Sequence, residues 1–235
     1  MPADTHFWVA LAEIVWINIL LSGDNAVVIA LACRSLPEDQ RKWGILLGVG
    51  PAVVLRIIFT LFIGTLLKVP FLKLIGAGLL LWIAIKLILP EVEDPQYPGE
   101  HRGSLWAAAR TIIVADAVMS LDNVIAIAAA AKGDWLLLVI GLLLSMPMII
   151  FGSALLLRVM ERFPILVTAG AGLLGWIAGE LVLSDPLLEG LTAGDSGLID
   201  EAVPALGTVL VVATGHIWAG LRRREQAVSV NASTD

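Results

Sequence analysis

The sequence is poor in charge, in histidine and in cysteine. Only 15% of its 235 residues are Asp, Glu, Lys or Arg, whereas a soluble domain has about 25%. The single cysteine, Cys33, leaves no internal disulfide to stabilise a small secreted fold. The formal net charge of −6 argues against a nucleic-acid partner, and the sequence contains no Walker loop, zinc-protease motif or haem signature.

Apolar residues make up 58% of the sequence and are concentrated in long runs. A helix needs about 20 mostly apolar residues to cross the hydrocarbon core of a lipid bilayer, which is roughly 30 Å thick. Seven stretches satisfy this length, so we predict an all-α, polytopic membrane protein with seven transmembrane helices. The predicted spans are Phe7–Ala32, Trp43–Leu67, Val69–Leu89, Leu105–Ala131, Trp135–Leu157, Pro164–Leu183 and Pro204–Leu221.

The distribution of lysine and arginine predicts the orientation of the chain. With seven spans, one set of connections contains nine Lys or Arg residues, and the other set contains only Lys68 and Lys132. Basic residues collect on the cytoplasmic side of membrane proteins. We therefore expect a multi-pass protein of the inner (cytoplasmic) membrane, with its N-terminus outside and its C-terminus in the cytoplasm.

Two parts of the chain repeat one another. GAGLLLWIAIKLIL at Gly76–Leu89 aligns with GAGLLGWIAGELVL at Gly170–Leu183, with ten of fourteen positions identical. Upstream, SGDNAVVIALA at Ser22–Ala32 matches SLDNVIAIAAA at Ser120–Ala130. A repeat of three spans enters the membrane from the opposite side the second time. The two copies therefore predict an inverted-topology repeat, which in transporters places the substrate between the halves.

The repeat divides the chain into five segments. We expect a first three-helix repeat at 7–89, a cytoplasmic loop at 90–104, a second, inverted three-helix repeat at 105–183, a seventh helix at 204–221 and a cytoplasmic tail at 222–235. A duplicated scaffold without a transport role is the alternative. Charge inside the spans favours transport over that alternative.

Spans one and four carry polar side chains at matching positions. In both spans these side chains recur at i, i+4 and i+7, so each set lies on one helix face. The stripe of span one is Asn18, Ser22 and Asn25, and the stripe of span four is Asp116, Ser120 and Asn123.

Asp24 and Asp122 precede the asparagines of these stripes and lie about 100° away from them in a regular helix. A local kink would turn the carboxylates toward the stripes. Gly23 beside Ser22 favours such a kink in span one. Leu121 occupies the equivalent position in span four, so a kink there needs another cause.

Acids inside a span need a partner. An ionised carboxylate at the centre of an isolated span costs about 2.5–3.5 kcal/mol unless it is protonated, paired or bound to a cation. Carboxylate, amide and hydroxyl oxygens suit Mg²⁺, Ca²⁺ or Mn²⁺ better than softer metals. We therefore predict a site for a transported divalent cation and no resident cofactor. Its candidate ligands are Asn18, Asp24, Asn25, Asp116, Asp122 and Asn123.

Each of these side chains also has a structural explanation. The serines can bond to preceding carbonyls, the asparagines can join helices, and the aspartates can pair with Lys or Arg. Arg56 lies deep in span two and aligns with Met148, which places it outside the symmetric site, although it could neutralise an acid when no cation is bound. Glu13 lies nearer the outer end of span one. It is either a charge in the entrance to the site or a side chain that extends to the membrane–water interface.

The paired motifs SGDNAVVIALA and SLDNVIAIAAA resemble those of the TerC family of integral membrane proteins, in particular its short seven-span bacterial branch. The resemblance covers nearly the whole chain. It implies efflux of Mn²⁺, and the family's name derives from tellurium resistance. An acidic residue commonly stands six positions before each motif aspartate in that family. Asp116 stands there before Asp122, whereas Asn18 takes this place before Asp24.

Three functions follow from these features. The leading prediction is a secondary transporter that exports a divalent cation, with Mn²⁺ preferred, by alternating access of the two repeats. An intramembrane protease, in which two carboxylates share one proton, is the second. The paired asparagines suit ion coordination better, so we expect no enzyme. The third is a non-transporting membrane factor in metal or tellurium stress response.

Overall fold

A computed structural model describes residues 5–66, 69, 71–89, 104–131, 134–188 and 197–232. The regular secondary structure within these ranges is helical and includes no strand. The main helices are α1 (Thr5–Leu20), α2 (Gly23–Cys33), α3 (Glu38–Leu61), α4 (Ile63–Leu66), α5 (Leu72–Ile88), α6 (Leu105–Ala131), α7 (Trp135–Arg162), α8 (Ile165–Leu183) and α9 (Leu198–Ala232).

Several of these helices can cross a membrane. Four are long and apolar enough: α3, α7, α8 and the Leu198–Trp218 part of α9. α1 and α2 together form a fifth candidate span, which is bent by 51°. α5 has 17 residues and α6 has 27. The described residues confirm an all-α fold with four or five candidate membrane spans, and the count of seven spans stays a prediction.

Most helix boundaries agree with the predicted spans to within a few residues. α6 has the predicted bounds, whereas α3 begins earlier, at Glu38. Pro37 precedes that helix with φ −53°, and two acidic residues in the first turn favour the positive end of the helix dipole. α9 extends beyond the predicted span at both ends. Of the predicted loop at 90–104, the described part of the chain includes Ser104 alone.

The break between α1 and α2 occurs where the sequence predicts a kink. The Ser22 N–H bonds to the carbonyl of Ile19, three residues back, at 3.3 Å, and Gly23 then begins α2. Among the described residues outside its own helix, no atom lies within 4 Å of where a Cβ on Gly23 would be, so close packing does not require glycine here. α6 continues without a break through Leu121. The kink is confirmed in span one, and span four lacks it.

The helices of the first half pack on those of the second half in matching pairs. α3 packs along α6, and α1 and α2 pack along α7. In each pair a glycine faces an isoleucine so closely that a Cβ on the glycine would collide with it: Gly48 with Ile112, and Gly141 with Ile14. Ile14 and Ile112 occupy equivalent positions in the two repeats. Small residues permit this close approach of membrane helices.

Polar contacts also join the two halves. Arg41 near the start of α3 pairs with Glu161 near the end of α7, at 2.5 Å. Asp185, which follows α8 and is fully buried, accepts a hydrogen bond from the N–H of Leu74 in the first turn of α5, at 3.3 Å. In both contacts, the start of a helix from the first half lies beside the end of a helix from the second half.

α9 is fastened to α8 and α5 through small residues. A Cβ on Gly175 of α8 would lie 2.5 Å from the backbone oxygen of Gly207 in α9. Thr208 donates to the carbonyl of Gly172 at 3.0 Å. On the other side of α9, a Cβ on Gly215 would lie 2.7 Å from a side-chain atom of α5. The backbones of α8 and α9 are therefore in direct contact.

We expect Gly175→Ala to lower the free energy of unfolding by about 1–3 kcal/mol, because the added methyl group must push α9 away from α8. Reversible unfolding in mixed detergent micelles measures this change. Gly152→Ala is the matched control, since no atom lies within 4 Å of a Cβ at that position in α7. Equal losses of stability in the two variants would contradict the close contact.

Candidate functional site

The polar side chains of the two halves meet around a buried arginine. Arg56 of α3 is 2% exposed and extends between α1 and α6. Its Nε donates to Ser120 Oγ at 3.0 Å, and its Nη1 donates to Asn18 Oδ1 at 2.9 Å and to Ser22 Oγ at 3.2 Å. Its Nη2 forms an ion pair with Asp116. One guanidinium thus joins members of both predicted stripes, and we call these five residues the arginine cluster.

The side chains around the guanidinium also bond to one another and to α7. Ser120 Oγ donates to Asp116 Oδ2 at 3.2 Å, and Ser22 Oγ donates to Asn18 Oδ1 at 3.4 Å. Asn18 Nδ2 donates to Ser145 Oγ of α7. A buried polar network whose members satisfy one another is rigid. The network therefore ties α1 to α3, α6 and α7.

The charges in the arginine cluster compensate each other. An arginine side chain does not lose its proton in a protein, so Arg56 is a permanent cation. Asp116 supplies the opposite charge. Arg56 is ion-paired with an acid, as expected, and it contacts both stripes although its repeat equivalent, Met148, is apolar. Its alignment with the apolar Met148 concealed this, although an arginine within a long apolar run was itself a signal.

A small cavity adjoins the arginine cluster. Its volume is about 20 Å³, which is room for roughly one water-sized species. Asn25, Arg56 and Asp116 line it, together with apolar side chains of α2, α3, α6 and α7. Asn25 is 3% exposed, and among the described residues neither its Oδ1 nor its Nδ2 has a hydrogen-bond partner. Burial of an amide without a partner costs stability, and a water or an ion in the adjoining cavity would supply one.

Asp24 and Asn123 line a second, larger cavity. This cavity has a volume of about 300 Å³, lies between α2, α5, α6 and α8, and includes Glu180 in its wall. Asn123 Nδ2 donates at 3.0 Å to the carbonyl of Leu21, which lies in the break between α1 and α2. Asp24 accepts the N–H of Asn25 at 2.9 Å. The kink therefore leaves Asp24 facing the second cavity instead of turning it into the arginine cluster.

The predicted ligands fall into two adjacent groups. The arginine cluster and its small cavity contain Asn18, Asn25 and Asp116, and the second cavity contains Asp24 and Asn123. The sixth candidate, Asp122, belongs to α6, but its side chain lies outside the described part of the structure. Among the side chains that are described, no three acidic, histidine or cysteine residues are grouped to hold a metal ion. A cation site here would therefore combine carboxylates with amide oxygens.

Beyond Arg56 and the two serines of the stripes, two further residues outside the predicted ligand set belong to these sites. Ser145 accepts the hydrogen bond of Asn18, and Glu180 lines the second cavity while accepting a hydrogen bond from Trp176 at 2.9 Å. The only sequence signal for Glu180 was its charge, which is opposite to that of its repeat equivalent, Lys86. Glu13 is exposed on α1 and lines neither cavity.

Comparison with known proteins gives relatives over most of the chain. Residues 3–226 match the family described as integral membrane protein TerC family. The uncharacterized membrane protein YjbE of Bacillus subtilis is 42% identical over 209 residues, which cover 89% of this chain and 94% of YjbE. YceF of the same organism is 30% identical over 183 residues, or 74% of this chain and 71% of YceF. The UPF0053 inner membrane protein YoaE of Escherichia coli K12 is 26% identical over 76% of this chain and 38% of its own length. No solved structure matches the chain.

We expect Ser145→Ala to lower the free energy of unfolding by about 1–3 kcal/mol, because the buried amide of Asn18 loses its acceptor. Ser153→Ala is the control. Ser153 is equally buried in α7, but it donates to the carbonyl of Ile150 in its own helix, at 3.0 Å. Unfolding of both variants in detergent, followed by circular dichroism, measures the difference. If Ser153→Ala loses as much stability as Ser145→Ala, the hydrogen bond between α1 and α7 does not contribute.

Proposed function

The chain belongs to the TerC family of integral membrane proteins, and we propose that it exports a divalent metal cation across the inner membrane. The expected substrate is Mn²⁺, and the expected mechanism is alternating access of two inverted repeats. One observation carries the proposal: a permanent positive charge lies buried between matching polar stripes of the two halves. Ionisable groups inside membrane spans mark substrate and ion pathways by default.

The packing supports seven spans arranged as an inverted repeat of three plus a final helix. The equivalent residues Ile14 and Ile112 each pack on a glycine in the second span of the other half, an exchange that a twofold axis between the halves would produce. The Arg41–Glu161 pair joins helices that run in opposite directions through the membrane in this arrangement. The excess of Lys and Arg on one side then assigns an outer N-terminus and a cytoplasmic C-terminus.

In the proposed site, carboxylates supply negative charge and amides supply neutral oxygen atoms. Both are ligands that Mn²⁺ and Mg²⁺ accept. Asn25 supports this assignment because it lines a cavity of the size of one water molecule and its amide oxygen has no partner among the described residues. The proposed ligands are Asn18, Asp24, Asn25, Asp116, Asp122 and Asn123.

The break in span one supports coupling between cation binding and movement of the helices. Interrupted helices form the substrate sites of several transporter folds. Here Asn18 lies on α1 and Asn25 on α2, with the 51° bend between them. A change in the bend would alter the distance between these two proposed ligands. Binding and release of the cation would therefore accompany bending and straightening of span one.

We expect Asp24→Asn, Asp116→Asn and Asp122→Asn each to reduce Mn²⁺ flux into proteoliposomes by about tenfold or more, because the charge of the ligands sets cation affinity. Glu161→Gln serves as the control, since Glu161 pairs with Arg41 away from both cavities. The assay runs Mn²⁺, Ca²⁺, Mg²⁺ and Zn²⁺ in parallel, with insertion of each variant verified first. Absence of flux of all four metals through the wild-type protein would refute transport and favour the non-transporting membrane factor.

The Asn25→Leu variant tests whether Asn25 contributes to transport without contributing to stability. We expect this variant to be as stable as the wild type or more stable. It removes an amide that is buried without a partner among the described residues, a condition that costs about 1–3 kcal/mol. Its Mn²⁺ flux should nevertheless be lost. Asn18→Leu is the comparison, since it breaks hydrogen bonds with Arg56, Ser22 and Ser145 and should reduce stability as well. Normal flux through Asn25→Leu would remove this residue from the site.

A further inference from the structure

The guanidinium of Arg56 occupies the place where two proposed ligands of the cation meet. It bonds to Asn18 and is ion-paired with Asp116, and it forms part of the wall of the cavity that Asn25 faces. We propose that Arg56 is a built-in competitor for the cation site and that it makes the site selective for divalent over monovalent ions. This inference rests on the proposed transport function and specifies its substrate class.

The selectivity follows from a comparison of charges. To reach Asp116, an incoming ion must replace the charge of Arg56. A monovalent ion brings the same single charge that the guanidinium already supplies, and the exchange forfeits several charge-assisted hydrogen bonds. A divalent ion brings twice that charge, so its electrostatic attraction to the carboxylate at the same distance is twice as large. Only the divalent ion therefore offsets the loss of the arginine contacts.

The net charge of the arginine cluster leads to the same conclusion. Arg56 and Asp116 are its ionisable members, and their charges sum to zero. Without Arg56 the cluster would have one uncompensated negative charge, which a single monovalent ion could neutralise. At 2% exposure, Arg56 is shielded from bulk water, which therefore does not replace its partners.

The competitor comes from one half of the protein. Met148, the repeat equivalent of Arg56, is apolar and 54% exposed, so the second half supplies no matching cation at that position. The two halves also differ at the equivalent positions Asn18 and Asp116: the first half has an amide there, and the second half has a carboxylate. The cluster therefore has one acid and one arginine instead of two of each. Binding of the cation then requires the displacement of one arginine from one carboxylate.

The test compares four forms of the full-length purified protein: the wild type, Arg56→Gln, Arg56→Lys and Arg41→Gln. Arg56→Gln removes the charge and retains a hydrogen-bonding side chain. Arg41→Gln is the matched control, because Arg41 belongs to the same helix and forms an ion pair outside the cluster. Calorimetric titration with Mn²⁺ in sodium chloride, and in choline chloride of the same ionic strength, measures affinity and its dependence on Na⁺.

We expect sodium to leave Mn²⁺ affinity unchanged in the wild type and in Arg41→Gln. In Arg56→Gln, Mn²⁺ should bind more tightly in choline chloride. Sodium should weaken that binding by about tenfold or more, because the carboxylate of Asp116, no longer paired with an arginine, attracts Na⁺. Arg56→Lys keeps the charge but loses the planar fork, so it should bind Mn²⁺ more tightly than the wild type and stay insensitive to sodium.

The outcomes distinguish the two proposals. Mn²⁺ binding that is insensitive to sodium in Arg56→Gln overturns the role of Arg56 and leaves the transport function in place. If Arg56→Gln does not fold, Arg56→Lys decides, because Mn²⁺ affinity equal to or below that of the wild type would overturn a competing role. Absence of divalent binding and flux in the wild type itself would overturn the proposed function instead.

Discussion

The ion pair between Arg56 and Asp116 is the interaction on which the arrangement of the helices depends. An arginine in the middle of a membrane protein is stable only if its charge is matched and its hydrogen-bond donors are satisfied. No single helix can supply all of those partners. The requirement brings α1, α3 and α6 to one point, and the hydrogen bond from Asn18 to Ser145 extends the network to α7. Burying one cation thus fixes four helices relative to one another.

Around this polar centre, the rest of the core is held by close contact between small and branched residues. Isoleucine side chains seat on glycines between the halves, and α8 meets α9 at the level of the backbone. In a bilayer, lipid is as apolar as leucine, so helices gain from tight contact and hydrogen bonds rather than from excluding water. The buried polar cluster and the glycine contacts therefore provide complementary parts of the same stability.

The sequence predicts the helices well because the apolar runs are long and the physical demand of the bilayer is simple. The bounds of α6 agree with the prediction, and Gly23 beside Ser22 correctly marks the kink in span one. The polar stripes also follow from helical spacing alone. What spacing does not reveal is which helix faces which. The position of Arg56 required knowledge that α3 packs along α6 close enough for the side chain to reach Asn18 of α1. The orientation of Asp24 required knowledge that α2 resumes regular winding immediately after the break.

The seat of α9 against both α5 and α8 has a mechanical consequence. These two helices carry the repeated GAGLL sequences, and they pack directly on each other. α9 packs against both of them. Separating α5 from α8 would therefore also require α9 to lose its contacts with one of these two helices. The arginine cluster lies outside this packed group, because its five residues belong to α1, α3, α6 and the break between α1 and α2.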